Sequence, residues 1–286
     1  MDREKRFNRI ARDIKSVKIQ GARSIAKAAL EAYGLFPDRK HRDVLISLRP
    51  TEPMLGNVLA MAEKKPMSEI MGHFNEAQEK INLNVLRKIK NDERILTHCH
   101  STNVVNSLIY AKNHGRRFEV FNTETRPLYQ GRKTARELSK AGIKVTLITD
   151  LEIRGFLEKS DAVFLGADAL LKNGDIINKI GSAMMAELAF DHEIPLYVIA
   201  DSWKFSSRDV RMEERHYREV WKNAPKGIRI KNLAFERVPS RYIRAIISEL
   251  GTLKPKEFAR KVSRTRIHRR IHHDADVCSG FEDSLF

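Results

Sequence analysis

The spacing of apolar residues changes once along this 286-residue chain, near Asn91, and nothing else constrains the fold as much. Before that point Ile10, Ile14 and Val17, then Ile25, Ala29 and Leu30, then Met54, Val58, Leu59 and Met61 recur at helical intervals. Gly21, Gly34 with Pro37, and Pro50 with Pro53 break these runs, and Ile70, Phe74, Ala77, Ile81, Val85 and Ile89 predict a longer helix over Met67 to Ile89. After Asn91 come short β-branched runs: Ile95-Leu96, Phe118 to Phe121, Val145 to Ile148, Ala162 to Leu165 and Leu196 to Ile199. Helical stretches lie between them, which is the spacing of repeated βαβ units. The expectation is an α/β protein: a helical N-terminal domain over 1–90, then a Rossmann-like parallel-sheet domain over 91–253. A basic tail over 254–286 is expected to be disordered. Within the sheet domain, Ser206 to Lys226 reads as a polar loop with some helix, Ile228-Arg229-Ile230 as a strand and Arg241 to Glu249 as a closing helix.

Charge and cysteine usage narrow the function classes. The net charge of +16 invites a nucleic-acid reading, but it divides as +8, +5 and +3 over residues 1–90, 91–253 and 254–286. Only Lys254 to His273 concentrates it, so a weak RNA contact through that tail is the most the charge implies. No apolar run of about 18 residues exists to span a membrane, and Met1 to Arg6 lacks the apolar core of a signal peptide. The expected compartment is cytoplasmic. Two cysteines, Cys99 and Cys278, do not make a disulfide scaffold.

Candidate chemistry gathers at the ends of the predicted strands. Cys99 falls in the turn between the strand ending at Leu96 and a helix starting near Val104, where an open α/β sheet places its ligands and a helix N-terminus attracts anions. Asp168 ends Phe164-Leu165-Gly166-Ala167-Asp168 in the same manner. If the two strands are neighbours, thiol and carboxyl share one crevice, burial raising the acid's pKa and a cation or helix terminus lowering the thiol's. Taken singly, Asp168 reads more readily as a cap and Cys99 as an inert buried thiol. Asn173-Gly174 signals a hairpin, after which Asn178 and Lys179 precede a helix. Lys204 follows the strand ending at Ala200 and is flanked by aromatics. Gln20-Gly21-Ala22-Arg23 opens a helix, with Arg23 a candidate phosphate clamp, and Arg49 precedes Pro50. A metal at His98, Cys99 and His100 is set aside, because adjacent residues of an extended segment face opposite sides and no second ligand pair has fitting spacing. No Gly-x-Gly-x-x-Gly or P-loop accompanies the strands.

Several of these segments together resemble one known family: Gln20-Gly21-Ala22, Thr97-His98-Cys99-His100-Ser101, Thr123-Glu124-Thr125-Arg126-Pro127, Gly166-Ala167-Asp168, Asn178-Lys179-Ile180-Gly181 and Trp203-Lys204-Phe205. It contains the alpha, beta and delta subunits of translation initiation factor 2B, methylthioribose-1-phosphate isomerase and archaeal ribose-1,5-bisphosphate isomerase. The resemblance extends over about residues 10 to 253. Cys99 in its turn separates the enzymes from the regulatory subunits, and Trp203-Lys204-Phe205 with the short N-terminal domain looks closer to the ribose-1,5-bisphosphate branch. What the resemblance implies is isomerisation of that sugar bisphosphate to ribulose 1,5-bisphosphate, in an archaeal route degrading nucleoside monophosphates. Cys99 would be the base at C2 and Asp168 the acid at the ring oxygen. Substrate contacts would come from Gln20, Gly21, Ala22, Arg23, Arg49, Ser101, Thr102, Asn103, Asn178, Lys179 and Lys204. The resemblance implies no metal or organic cofactor, and assembly into a homo-oligomer, dimer or hexamer.

Two positions depart from the family pattern. Gln20 stands where the phosphate loop usually carries Arg, keeping a donor and losing a charge. Phe235-Glu236-Arg237-Val238-Pro239 replaces the more usual Phe-Asp-x-Thr-Pro. Gln20 and the basic tail motivate a competing expectation, a non-catalytic, initiation-factor-like binding subunit, and methylthioribose-1-phosphate isomerase is the other alternative.

Overall fold

The computed structural model describes residues 2–265. It begins with five helices, α1 (Arg3–Lys15), α2 (Ala22–Leu35), α3 (Arg39–Ser47), α4 (Pro53–Ala62) and α5 (Met67–Leu86). Local signals start them: the Asp2 and Asp38 carboxylates accept the first free N–H groups of α1 and α3, and Pro53 opens α4 where its missing N–H costs nothing. Their apolar stripes, including Ile14, Ile25, Leu30 and Leu59, close into one core. Trp203, from the sheet region, is part of that core. Asn57 on α4 donates to the carbonyls of Trp203 and Phe205 at 2.8 and 3.0 Å. The helical region is thereby fastened to the carboxyl end of the sheet.

The rest of the chain alternates as expected. In order it runs β1 (Glu93–Thr97), α6 (Thr102–Asn113), β2 (Phe118–Thr123), α7 (Gln130–Lys140), β3 (Lys144–Ile148), α8 (Ile153–Leu157), β4 (Ala162–Leu165), β5 (Ala169–Leu171), β6 (Ile176–Lys179), α9 (Ser182–Asp191), β7 (Leu196–Ile199), β8 (Phe205–Ser206), β9 (Phe235–Val238), β10 (Ala245–Ser248), β11 (Gly251–Leu253) and α10 (Pro255–Ser263). Seven strands form the main sheet in the order β11-β10-β7-β4-β1-β2-β3, parallel except for β11. β5, β6, β8 and β9 make a smaller second sheet beside it, and the Asn173-Gly174 hairpin joins β5 to β6. From β1 the chain moves outward through β2 and β3, and from β4 it moves the opposite way through β7 and β10. The switch point lies between β1 and β4, which pair with Thr97 opposite Phe164. Open α/β sheets bind their ligands there.

Three expectations give way. Residues 241–249 are not a helix but a short turn leading into β10. Ile243, Ile246, Ile247 and Leu250 have helical spacing, yet β10 is covered on both faces: Ile246 packs in the core with Phe258, and Ile247 in the one with Ile81. A strand buried on two sides loses its alternation and looks helical. Residues 228–230 are not a strand; the pairing falls to β9 instead, antiparallel to β6. The segment expected to be disordered also begins with structure, since Phe258, Ala259 and Val262 of α10 are buried in the sheet core while its Lys and Arg face outward. Its remainder, with Cys278, lies outside the described residues.

Candidate active site

Cys99 follows β1 in a backbone conformation that side chains seldom adopt, with φ +66°. A set of threonines fixes it there. Thr125 Oγ1 accepts from the Cys99 N–H at 3.0 Å, and Thr134 Oγ1 donates to the Cys99 carbonyl at 2.9 Å. His98 Nε2 faces the Ile180 carbonyl at 2.8 Å and must donate to it, so Nδ1 accepts from the Thr123 hydroxyl at 2.6 Å. Thr123 in turn lies 3.1 Å from Thr125 Oγ1. Asp150 closes the web by accepting the Thr125 and Arg126 N–H groups at 2.8 and 2.7 Å. Two glycines allow the packing: a Cβ at Gly131 would stand 1.7 Å from the Thr123 carbonyl oxygen, and one at Gly166 would stand 2.6 Å from Ser101.

Asp168 follows β4, the neighbour of β1, so thiol and carboxyl flank the switch point. Both line one cleft of about 900 Å³, open mouth included, between the sheet and the helical region. Every site residue named from the sequence lines this cleft. Gln20 to Arg23 approach from the start of α2, Ser101 to Asn103 from the start of α6, and Asn178 and Lys179 from the end of β6. Lys204 and Lys179 are both buried, and Lys204 Nζ donates to the Ala167 carbonyl at 2.6 Å. Asn178 is held by Ser182 at 2.8 Å, and Arg23 Nη2 by Asn75 at 2.8 Å. Asn103 exchanges hydrogen bonds with Gln78 on α5, so it braces the wall as well as lining it.

Burial sets the electrostatics. It raises the Asp168 pKa, with Lys204 and Arg49 opposing. The Cys99 thiol is pushed up to about 12 by burial, and Lys179 offsets only part of this. The lowered thiol pKa expected from the sequence is thus corrected: enclosure outweighs the neighbouring cation, and the thiol is neutral in the free protein. His98 and His100 are lowered by burial as well, His100 to about 4.

Residues that sequence reasoning missed complete the cleft. Glu52, the N-cap position of α4, is buried beside Arg49, and Arg215 and Glu219 descend from the 207–234 excursion. That excursion is docked by Thr51, which donates to the Arg211 carbonyl at 2.8 Å and accepts from the Glu213 N–H at 3.1 Å. Glu213 grips Arg49 Nε through both oxygens, at 3.0 and 3.2 Å. No local signal reveals these contacts, because the partners lie about 160 residues apart. Glu236, one of the departures from the family pattern, accepts the Ala183 N–H at 2.8 Å and so caps α9, whose own cap position, Gly181, has no side chain. Among the described residues, one group brings three metal-ligand types together, His73, Asp201 and Glu249, and it does not line the cleft. Its carboxylates accept the Trp203 and Ser202 N–H groups at 2.9 and 3.1 Å, which shapes the turn carrying Lys204. No helix among the described residues is long and apolar enough to cross a membrane.

Comparison with known proteins agrees with this architecture. Residues 39–255 match the Initiation factor 2 subunit family. A ribose 1,5-bisphosphate isomerase from Methanocaldococcus jannaschii is 36% identical over 276 residues, covering 85% of this chain and 90% of that protein. A methylthioribose-1-phosphate isomerase from Dehalococcoides mccartyi is 32% identical, covering 87% of this chain and 90% of the other. Among solved structures, the Pyrococcus horikoshii translation initiation factor eIF-2B superposes with a TM-score of 0.78 at 29% identity, covering 87% of this chain and 97% of that one.

Proposed function

Since the chain belongs to the Initiation factor 2 subunit family, we propose that it is a sugar-phosphate isomerase converting ribose 1,5-bisphosphate to ribulose 1,5-bisphosphate. The observation that carries this reading is the thiol of Cys99 and the carboxyl of Asp168 on either side of the switch point, in one cleft with buried Lys179 and Lys204. Relatives named for that isomerase reach 36% and 34% identity over 85% and 86% of this chain, and a putative initiation-factor subunit from Pyrococcus furiosus reaches 31% over 86%. The reaction belongs, on this reading, to the breakdown of nucleoside monophosphates.

A sugar phosphorylated at C1 has no free aldehyde, so acid and base act on the closed ring. With the thiol raised to about 12, Cys99 holds its proton in the free protein, and the reactive arrangement is the thiolate facing a protonated Asp168, whose carboxyl burial also raises. The Cys99 thiolate takes the C2 proton, the C2–H electrons form a C1–C2 double bond, and the C1–O bond to the ring oxygen breaks. Asp168 protonates the departing ring oxygen. Returning the proton from Cys99 to C1, while Asp168 recovers one from the C2 hydroxyl, gives the ketose with no net change in protons. Lys179, by its positive charge, favours the thiolate at the moment of transfer. Arg23, Lys179 and Lys204 supply cationic donors for the phosphates, and Gln20 a neutral one.

A homo-oligomer accompanies this reading. Leu147, Leu151 and Phe190 are exposed on the sheet region, Leu151 at 90%, and covering them would remove apolar surface from water. The test of function is turnover. Purified protein given ribose 1,5-bisphosphate is expected to yield ribulose 1,5-bisphosphate, and to leave methylthioribose 1-phosphate largely unchanged. Turnover of methylthioribose 1-phosphate alone would move it to that branch, and no turnover of either would leave the binding-subunit reading.

A further inference from the structure

Four buried side-chain polar atoms among the described residues lack a hydrogen-bond partner, and three of them belong to residues lining the cleft: Arg49 Nη1, Glu52 Oε2 and Gln130 Oε1. Two come from one ion pair. Arg49 Nη2 meets Glu52 Oε1 at 3.3 Å, leaving Nη1 and Oε2 open. Arg49 and Arg215 are answered by Glu213, at 3.0 and 3.7 Å, and by Glu219, at 2.8 Å from Arg215, so Glu52 is a third carboxyl against two guanidinium groups. It is 3% exposed, and its largest charged influence is the like charge of Asp168, ahead of Arg49, Lys204 and Glu213. Burial pushes it up to about 8. An acid so placed costs free energy in the empty protein unless something fills its valence.

We infer that Glu52, with Arg49 Nη1, forms a subsite that reads one ring hydroxyl of the sugar, making Glu52 a specificity-determining residue of the cleft. The chemistry of the two open atoms selects that group. Arg49 Nη1 only donates, whereas Glu52 Oε2 accepts when ionised and, when it carries the proton, donates. A hydroxyl both accepts and donates, so it satisfies the two together. A phosphate does not fit as well, because Glu213 already answers the charge of Arg49 and Glu52 presents an acid oxygen to the incoming anion. The phosphates therefore fall to the Arg23, Lys179 and Lys204 side, and the hydroxyl read by Glu52 lies next to Asp168, at the reacting carbons. This assignment rests on the sugar-phosphate reading of the site.

Binding without turnover tests it. In a Cys99→Ser background, calorimetry compares ribose 1,5-bisphosphate with its 2-deoxy and 3-deoxy analogues, each with and without Glu52→Ala. For the parent sugar the substitution is expected to weaken binding about 10- to 100-fold. For one of the deoxy analogues it is expected to change binding less than about 3-fold, since the hydroxyl being read is already gone. Glu52→Gln, still able to bond a hydroxyl, is expected to retain most of the affinity. In the free protein Glu52→Gln should melt at the same temperature as the parent or higher, whereas a merely structural partner of Arg49 would melt lower. An equal loss for all three compounds, no loss for any, or a lower melting point would overturn the assignment. If none of the three binds the Cys99→Ser protein, the sugar-phosphate reading falls, and this assignment with it.

Discussion

On the sheet side of the cleft, His98, Thr123, Thr125, Thr134 and the Cys99 backbone have their hydrogen bonds made within the protein, whereas on the helical side Arg49 and Glu52 each keep one open. The sheet side is held in an uncommon backbone conformation by surrounding bonds, as a group that must meet one reacting carbon needs to be. On the helical side Glu213 and Glu52 hold Arg49, yet Arg49 Nη1 and Glu52 Oε2 keep their valence for a ligand. The contrast separates orienting the chemistry from recognising the molecule.

Replacing Gly131 by Ala should break the sheet side most severely, because the new Cβ would overlap the Thr123 carbonyl and force α7, with Thr134, away from Cys99. A loss of about 3 kcal/mol in urea unfolding, together with most of the activity, is expected. Thr123→Val strands His98 Nδ1 and should cost about 1–3 kcal/mol. A neutral result would mean that the web is not what fixes the turn. His100 gives a pH handle on the same side. Burial holds its folded pKa at about 4, below the unfolded value near 6.5, so the unfolded chain binds more protons between these values. Stability should therefore be full above about pH 6.5 and fall as pH drops toward 4, by on the order of 2 kcal/mol, and His100→Asn should flatten that slope. The smallest effect belongs to the helical side. Glu213→Gln should cost no more than about 1 kcal/mol, because Glu52 remains to neutralise Arg49, and a loss of about 3–5 kcal/mol would show that Glu52 is not surplus.

The same contrast explains what the sequence could reveal. β1 to β4 and β7 were readable from short β-branched runs, and the sheet side of the site followed because strand ends and helix starts have local signatures. β10 was not, since burial on both faces gives Ile246 and Ile247 helical spacing. Glu52 was hidden differently. In Arg49-Pro50-Thr51-Glu52-Pro53 it is a lone acid between two prolines, and only the return of the 207–234 excursion, bringing Glu213 to Arg49, makes it a buried, surplus acid. Long-range closure of this kind leaves no periodic trace.

The most direct measurement of the central claim is the rate of ribulose 1,5-bisphosphate formation from ribose 1,5-bisphosphate by the parent protein, Cys99→Ser and Asp168→Asn, with sugar binding measured beside it. Turnover by the parent is expected, with a loss of at least about 100-fold in each variant and binding kept within about 10-fold. Near-parental rates in either variant, or no product from the parent, would contradict it.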